Sequence, residues 1–384
     1  METSADFPDP VSYLDCAATV PMRRGAIEAM LPYLDRWFGN ASGSHRVARE
    51  ARRGLEEARD AVARATGRSP HGVVFTSGGT EADNLAVNGI LQARGGRAVC
   101  SAVEHHAVLD PVRASGGEVI GVDRHGIIDL EQLADRLDTG VSIVSVMAVN
   151  NETGVLQPLE EVAEIVRREA PGAVLHTDAV QAVCWTDFAR FTAPADLVSM
   201  AGHKFGGPKG VGALLVGEGI DLVPQIRGGG QEQERRSGSS NVAGAVGMAQ
   251  ALVEVDADRE AARRRVARYR DELLGALTAL EGVEDTVAGA PRAEGWAHLI
   301  LHGLETEALL VLLEQGGVMA STASSCASGA VDPSHVLAAM GRDRSEAFGA
   351  LRLTIGHQTH RHEIDRALEV IPEAVTRLRG TGRR

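Results

Sequence analysis

Hydrophobic runs alternate with polar, helix-like segments along the chain from about residue 70 to residue 216. Seven short runs rich in β-branched residues are predicted strands, at residues 73–76, 98–102, 118–122, 141–149, 173–177, 197–201 and 211–216. Helical patterns lie between most of them, at residues 81–92, 107–114 and 159–169. Such alternation is typical of βαβ units, whose helices cover a largely parallel sheet. The pattern therefore predicts an α/β fold for this part of the chain.

The pattern changes after about residue 250. A long segment rich in Arg, Glu and Ala, residues 247–281, is predicted to form one helix, and the mixed segment after it ends in a predicted helix at 361–379. A chain of 384 residues is also long for a single core. We therefore predict a large domain over residues 17–255 and a smaller α+β domain formed by residues 1–16 and 256–384.

The segment LVSMAGHKFGGPKGVGALLV, residues 197–216, holds two apolar runs joined by a glycine-rich turn. Such a pattern predicts a β-hairpin. Lys204 follows the first run directly, beside His203 and close to Gly206 and Gly207. A partly desolvated lysine has a lowered pKa and becomes a nucleophilic amine. Lys204 is therefore a candidate catalytic amine at the edge of the sheet.

Two further predicted strands are followed by polar residues. Ligands of α/β sheets bind at the carboxyl ends of the strands, so these residues are candidates for a binding site. Gly79 and Thr80 follow strand 73–76 at a predicted helix start, whose free N–H groups suit a phosphate. An ordinary N-cap and turn would give the same pattern. Asp178 follows strand 173–177 and could pair with a ring nitrogen, and Gln181 could donate to a ring oxygen. A capping role is the alternative for Asp178.

An amine, an anion site and an acid partner are together what a Schiff-base cofactor with a pyridine ring requires. His105 in VEHHAVLD adds an imidazole that can stack on such a ring and move protons, or else begins a helix. Asn151 in VNNETG offers an amide to a phenolic oxygen, or else belongs to a turn. The order of these groups on one predicted sheet favours a cofactor site.

The C-terminal part of the chain adds a candidate nucleophile and a candidate substrate ligand. Cys326 lies in ASTASSCASGAVDPSH, residues 320–335, a segment with little to bury that is predicted to be a mobile surface loop. Arg352 in ALRLTIG suits a substrate carboxylate, with an exposed ion pair as the alternative. The cluster HQTHRHE at 357–363 lacks the i, i+4 spacing of a helical zinc motif, so we predict no metal.

Composition narrows the classes of function. Hydrophobic residues make up 44% and charged residues 24%, and no run of 18 apolar residues occurs, so we expect a soluble chain without a membrane span. A net charge of -13 argues against direct binding of nucleic acid. The acidic start METSADFPDP does not look like a signal peptide, and the four cysteines form no CxxC pair. We therefore predict a cytoplasmic protein with reduced cysteines.

Taken together, the motifs resemble the pyridoxal 5′-phosphate-dependent cysteine desulfurases of the class V aminotransferases. The resemblance covers nearly the whole chain, from YLDCAATVP at 13–21 to LRLTIG at 351–356, and is carried by VFTSGGTEADN, VEHHAVLD, VNNETGVLQP, HTDAVQ, GHKFGGPKG, RSGSSNV and SSCASG. It implies a homodimeric fold type I enzyme that converts L-cysteine to L-alanine. The sulfur would remain as a persulfide for an acceptor protein, either an iron–sulfur scaffold or a thiolation enzyme.

The resemblance also implies roles for the candidates around the cofactor ring. Lys204 would form the Schiff base with pyridoxal phosphate. His105 would stack on the ring and help with proton transfer. Asp178 would pair with the pyridine nitrogen, and Gln181 and Asn151 would contact the side of the phenolic oxygen.

The same resemblance assigns the phosphate and substrate groups. The phosphate ligands would be Gly79, Thr80, His203 and, from the other subunit, Ser239. Arg352 and Asn151 would bind the carboxylate of cysteine. Cys326 would attack the substrate sulfur. The chain departs from the family pattern at three single positions and in one stretch. Cys16 replaces an asparagine, Ala201 a serine and Ala323 a glycine, and the stretch at 40–45 reads NASGSH.

Other functions remain compatible with these residues. A selenocysteine lyase, a cysteine lyase or another class V enzyme would share the cofactor site. A non-catalytic scaffold could keep the fold without the chemistry. Dependence on Cys326 separates the desulfurase from the other enzymes.

Overall fold

A seven-stranded sheet forms the centre of the structure, a computed structural model that describes residues 11–322 and 333–381. The described strands are β1 (Ser12–Tyr13), β2 (Val73–Thr76), β3 (Arg97–Ser101), β4 (Glu118–Ile120), β5 (Val141–Ser145), β6 (Val174–Asp178), β7 (Leu197–Ala201), β8 (Gly212–Val216), β9 (Val283–Asp285), β10 (Trp296–Leu301), β11 (Val318–Met319) and β12 (Ala350–Thr354). The central sheet has the order β2-β8-β7-β6-β5-β3-β4, and only β8 runs antiparallel to its neighbours. The predicted α/β fold with a mostly parallel sheet is confirmed.

The strands differ from the prediction mainly at their ends. The predicted strand 141–149 stops at Ser145, because the neighbouring strand β3 itself ends one residue after the pair Cys100 and Ser145. The chain beyond β5 still bonds to β6, where the N–H of Ala148 donates to the carbonyl of Asp178 at 2.8 Å. Asn151 was predicted at a strand end and lies instead in the turn that follows this stretch.

The hairpin predicted at residues 197–216 is present. Strands β7 and β8 pair antiparallel from Leu197 with Val216 to Ala201 with Gly212. Between them a single 3-10 turn, Gly202–Lys204, is followed by a loop with positive φ at Gly206 (90°) and Gly210 (75°). Glycine adopts such angles without the steric cost that a side chain brings. The turn places Lys204 just beyond the end of β7.

Helices cover both faces of the sheet. The helices of the described residues are α1 (Arg24–Asp35), α2 (Arg46–Thr66), α3 (Gly79–Arg94), α4 (His106–Ala114), α5 (Leu130–Arg136), α6 (Leu159–Glu169), α7 (Phe188–Phe191), α8 (Val242–Thr278), α9 (Thr306–Gln315), α10 (His335–Ala339), α11 (Arg344–Phe348) and α12 (Arg361–Thr381). The helix predicted at 247–281 is α8 and begins five residues earlier, because the Asn241 side chain accepts from the N–H of Gly244 at 2.9 Å and caps it.

The alternation of side chains along the strands builds a core on each face. Val144 and Leu175 belong to the larger apolar cluster, whereas Ile143 and Val174 belong to a second cluster that includes Leu85 of α3. Because both faces are buried, the strands read as continuous apolar runs in the sequence. Helix α3 thus lies directly against the sheet, with its first turn at the strand ends.

Two small sheets lie outside the central one. Strand β1 pairs in parallel with β11, and β10 pairs antiparallel with both β9 and β12. The N-terminal segment therefore joins the C-terminal half of the chain. The domain boundary predicted after residue 255 falls inside α8, and the domain limits stay a prediction. Among the described residues, no helix combines the length and apolar character needed to cross a bilayer.

Candidate functional site

A cavity of about 610 Å³ opens at the carboxyl ends of β6 and β7. Its lining brings together nine of the residues that the sequence singled out: Gly79, Thr80, His105, Asn151, Asp178, Gln181, His203, Lys204 and Arg352. These residues come from six separate stretches between residues 79 and 352, so the fold alone assembles them. The cavity lies where ligands bind in open α/β sheets.

Lys204 presents its amine at the floor of the cavity. Its Nζ donates to the carbonyl oxygens of Ala17 at 2.7 Å and Ala18 at 2.9 Å. Burial, with a smaller effect from the charge of Arg352, lowers the pKa of Lys204 from 10.5 to about 8. An appreciable fraction of this amine is therefore neutral, and so nucleophilic, near neutral pH.

Asp178 is the last residue of β6 and is buried beside the amine. Its carboxylate accepts from the N–H of Val180 at 2.9 Å. Burial raises the pKa of Asp178, and the charges of His105 and Lys204 oppose that rise. Gln181 lines the cavity, and its Nε2, which carries two N–H donors, gives one of them to the carbonyl of Ala17 at 2.9 Å. Asp178 is thus placed to pair with a cationic nitrogen in the cavity.

The start of α3 forms an anion cradle. The helix begins at Gly79, two residues before the predicted start, and its first N–H groups have no acceptor within the helix. A Cβ atom at position 79 would lie only 2.7 Å from Cγ2 of Val180, so only glycine permits this close packing. Thr80 is exposed to the cavity, and His203 lies opposite with its Nδ1 3.2 Å from Oγ1 of Thr19. The donor set suits a phosphate.

His105 begins helix α4, as one of the two sequence interpretations expects, and it also lines the cavity. It is the N-cap of α4, where its Nδ1 accepts from the N–H of Ala107 at 3.1 Å. The surrounding protein desolvates the ring and lowers the pKa of His105. A neutral imidazole whose Nδ1 is an acceptor carries its proton on Nε2. This imidazole can therefore donate a hydrogen bond from Nε2 to a group in the cavity.

Arg352 on β12 is buried, so the alternative of an exposed ion pair is wrong. Its Nη2 donates to Asp15 at 2.7 Å and its Nη1 to the carbonyl of Asn151 at 3.1 Å. Among the described residues, its Nε has no hydrogen-bond partner. The same carbonyl of Asn151 also accepts from Nε1 of Trp296 at 3.3 Å. A guanidinium held in this way can bind a carboxylate that enters the cavity.

Two predicted residues are not part of this cavity as described. Ser239 is exposed and absent from its lining. Cys326 and Ala323 lie outside the described residues. The histidines of the 357–363 cluster form no group of metal ligands within the described part of the chain, although the rings of His360 and His362 stack at 5.7 Å.

Sequence reasoning missed several groups that complete the site. Ala17 and Ala18 act through backbone carbonyls, which no residue type reveals. Asp15 precedes the buried Cys16 and gave no separate signal. Further lining residues that were missed are Asp83, Met147, Glu152, Val180, Ser334 and His335. An acidic residue on the sheet-facing side of a helix, as at Asp83, is the one signal that could have been used.

Comparison with known proteins agrees with this geometry. The Aminotransferase class-V family matches residues 12–367. An IscS-like cysteine desulfurase of Mycobacterium tuberculosis is 44% identical, over 96% of this chain and 97% of that protein, and cysteine desulfurase IscS of Methanosarcina thermophila is 37% identical, over 96% and 92%. A solved NifS-like protein superimposes with a TM-score of 0.90 at 32% identity, over 96% of this chain and all of the other. The chain belongs to the class V aminotransferase family.

Proposed function

We propose that this protein is a pyridoxal 5′-phosphate-dependent cysteine desulfurase. It removes sulfur from L-cysteine, releases L-alanine and holds the sulfur as a persulfide on Cys326 for transfer to an acceptor protein. The observation that carries the proposal is one cavity in which the amine of Lys204, the carboxylate of Asp178 and the helix start at Gly79 converge. Relatives named cysteine desulfurase, 44% and 37% identical over nearly the full length, support it.

The described residues fit the cofactor. The first N–H groups of α3, with Thr80 and His203, would hold the phosphate, and Asp178 would pair with the ring nitrogen. Lys204 would hold the aldehyde carbon covalently, and His105 would lie against the ring. When bound, pyridoxal phosphate supplies an electron-withdrawing ring that stabilises negative charge next to the substrate amine.

Residues of the chain bind the substrate, move its proton and attack its sulfur. Arg352 binds the substrate carboxylate and so fixes the position of the α-carbon. The Nζ of Lys204 accepts the α-proton in its neutral form. The thiolate of Cys326 attacks the substrate sulfur, so that an S–S bond forms as the C–S bond breaks. The carbon keeps the electron pair and takes up a proton, which gives alanine.

We also propose a homodimer. Ser239 is exposed in the single chain, as a residue that serves a partner's phosphate site would be. Helix α1 packs one side on α8 and leaves Ile27, Leu31 and Leu34 exposed on the other. An apolar face of this kind on a globular protein is typical of an interface. The acceptor of the persulfide would be an iron–sulfur scaffold or a thiolation enzyme.

Turnover with L-cysteine tests the function. The purified protein with pyridoxal phosphate is expected to form alanine and to carry one extra sulfur on the peptide that contains Cys326, as read by mass spectrometry. Cys326→Ala should abolish both. Cys184→Ala is the matched control, because Cys184 is a partly buried thiol outside this cavity. A Cys326→Ala protein that keeps the parent's rate would instead indicate another class V enzyme.

A further inference from the structure

A buried cluster of polar side chains lies directly behind Asp178, on the face of the sheet that α3 covers. His176 precedes Asp178 by two residues on β6, so both side chains leave the same face. Ser145 of β5 and Ser199 of β7 stand beside them in register. Nδ1 of His176 is 2.7 Å from Oγ of Ser145, and its Nε2 is 2.9 Å from Oγ of Ser199. Asp83 of α3 completes the cluster, with its Oδ1 3.6 Å from Nε2 of His176.

Asp83 is the member of this group without an obvious purpose. It is 1% exposed, and its Oδ1 has no hydrogen-bond partner among the described residues, with Nε2 of His176 at 3.6 Å. Burial lowers the pKa of His176 to about 3, so the imidazole is neutral and cannot balance a carboxylate. A buried, unpaired charge is costly, and such a group takes up a proton instead.

The charged neighbours of Asp83 and of Asp178 are opposite in sign. Asp178 accepts from the N–H of Val180 and faces Lys204, which is cationic when protonated. The charged groups that act most on Asp83 are two other carboxylates, those of Asp178 and Glu104, while the hydroxyl of Ser199 bonds to it. When two carboxyl groups share a site, the one with cationic neighbours keeps the charge and the other keeps the proton.

We propose that Asp83 stays protonated behind Asp178, so that Asp178 is the single anion of the pair. The proposal rests on the proposed function only for what Asp178 then does, namely pair with the ring nitrogen of the cofactor. The protonation state itself is a property of the chain without cofactor. Burial and the nearby charge of Asp178 both raise the pKa of Asp83, to well above its usual value. This shift agrees with the geometry.

Four groups among the described residues act on Asp83 directly. They are Asp178 and His176 on β6, Ser199 on β7 and Glu104 in the loop after β3, while Ser145 on β5 bonds to His176. Glu104 is itself buried and accepts from the N–H of Met147 at 2.7 Å. Its burial raises the pKa of Glu104 as well, so an experiment must tell aspartic from glutamic acid.

Infrared spectroscopy of the cofactor-free protein makes that distinction. With all aspartates ¹³C-labelled at the carboxyl carbon, the parent at pH 7 is expected to show the C=O band of a protonated aspartic acid. Asp83→Asn should remove the band, and Ser199→Ala should move it to higher frequency because one hydrogen bond is lost. Glu104→Gln is the control and should leave it unchanged. If the parent shows no such band, or if only Asp178→Asn removes it, Asp83 does not hold the proton.

A second measurement asks whether the network matters to the cofactor. Asp83→Ala is expected to weaken pyridoxal phosphate binding, as followed by the visible absorption of the bound form, because His176 and Ser199 lose their neighbour. Asp83→Asn should recover most of the affinity, since an amide is neutral and still hydrogen-bonds. An Asn variant as damaged as the Ala variant would overturn the proposal. If the parent binds no cofactor, the proposed function fails while the infrared result still decides the protonation of Asp83.

Discussion

The guanidinium of Arg352 donates to the carboxylate of Asp15 at 2.7 Å, although 337 residues separate them in the chain. This pair joins the segment before Ala17 and Ala18 to strand β12. The carbonyls of those two alanines hold the amine of Lys204. Arg352 and the amine of Lys204 are therefore held through the same N-terminal segment. A carboxylate that enters the cavity would compete with Asp15 for the guanidinium of Arg352.

Replacement of Arg352 by lysine should therefore weaken substrate binding. The change Arg352→Lys keeps the charge but removes the planar fork that suits a carboxylate. We expect KM for cysteine to rise by roughly 10- to 100-fold, because a hydrogen bond to a charged group contributes about 1.5–3 kcal/mol. Steady-state alanine formation measures it. The control is Arg342→Lys, at an arginine that pairs with Glu284 and Glu346 away from the cavity. An unchanged KM in Arg352→Lys would exclude the assigned role.

A second buried pair, between Arg59 and Glu232, stabilises the edge of the central sheet. Both side chains are at most 5% exposed, and Nη1 of Arg59 lies 2.7 Å from Oε2 of Glu232. The same carboxylate accepts from the N–H of Phe75 on the edge strand β2 at 2.9 Å. Glu232 and the two residues after it have positive φ, of 48°, 58° and 67°, and such strain persists only where other contacts enforce it.

Loss of this carboxylate should cost much stability. The change Glu232→Gln leaves the buried Arg59 charge with only the exposed Glu56 as a carboxylate partner, so we expect the free energy of unfolding to fall by about 3–5 kcal/mol. Glu56→Gln removes an exposed partner of the same arginine and should cost less than about 1 kcal/mol. Urea denaturation measures both. Equal losses in the two variants would contradict a special role for the buried pair.

The hydrophobic pattern predicted the seven strands and the hairpin because burial on both sides of a sheet leaves a strong signal. Strand and helix ends were less predictable: β5 ends where its neighbour β3 ends, and α8 begins where Asn241 caps it. Within the site, side chains with distinctive chemistry, such as Lys204 and Asp178, were found. Groups that act through the backbone, such as the carbonyl of Ala17, were not found, because the residue type does not reveal the direction in which a carbonyl points.

Buried carboxyl groups were the other class that sequence reasoning missed. Asp83 and Glu152 look like ordinary helix and turn residues, and only the packing of neighbouring segments shows that they are buried. Their ionisation depends on distances that local patterns do not contain. The role of Ser239 and the chemistry of Cys326 came from the resemblance to a family and remain predictions.

Glu152 gives a prediction of pH dependence. It is 5% exposed, and Ser334 donates to its Oε2 at 2.5 Å. Burial raises the pKa of Glu152 from 4.5 to about 7, while the hydrogen bond from Ser334 opposes the rise. The folded chain thus binds this proton more tightly than the unfolded chain. Its contribution to stability is complete below about pH 4.5 and is lost as the pH rises through 7.

The expected size of that effect is up to about 3 kcal/mol, since one pKa unit corresponds to about 1.4 kcal/mol. Glu152→Gln cannot titrate, so its stability should decrease less than the parent's between pH 5 and pH 8. Unfolding by urea at several pH values measures the slope. Glu160→Gln, at an exposed position of α6, should follow the parent. A Glu152→Gln protein with the parent's pH dependence would show that this carboxyl group titrates normally.

The apolar face of α1 gives the last prediction. Ile27, Leu31 and Leu34 lie on one side of the helix and Phe38 follows just beyond it, with exposed fractions of 45, 54, 61 and 72%. Their spacing places them on a single stripe. In a homodimer this stripe would be covered, so Leu31→Glu with Leu34→Glu should convert the dimer to a monomer in sedimentation velocity. Val311→Glu, at a residue of α9 that is 56% exposed, is the control and should leave the dimer intact. A double variant that sediments as the parent dimer would place the interface elsewhere. If the parent itself sediments as a monomer, the proposed dimer and the role of Ser239 in a partner's site fail together.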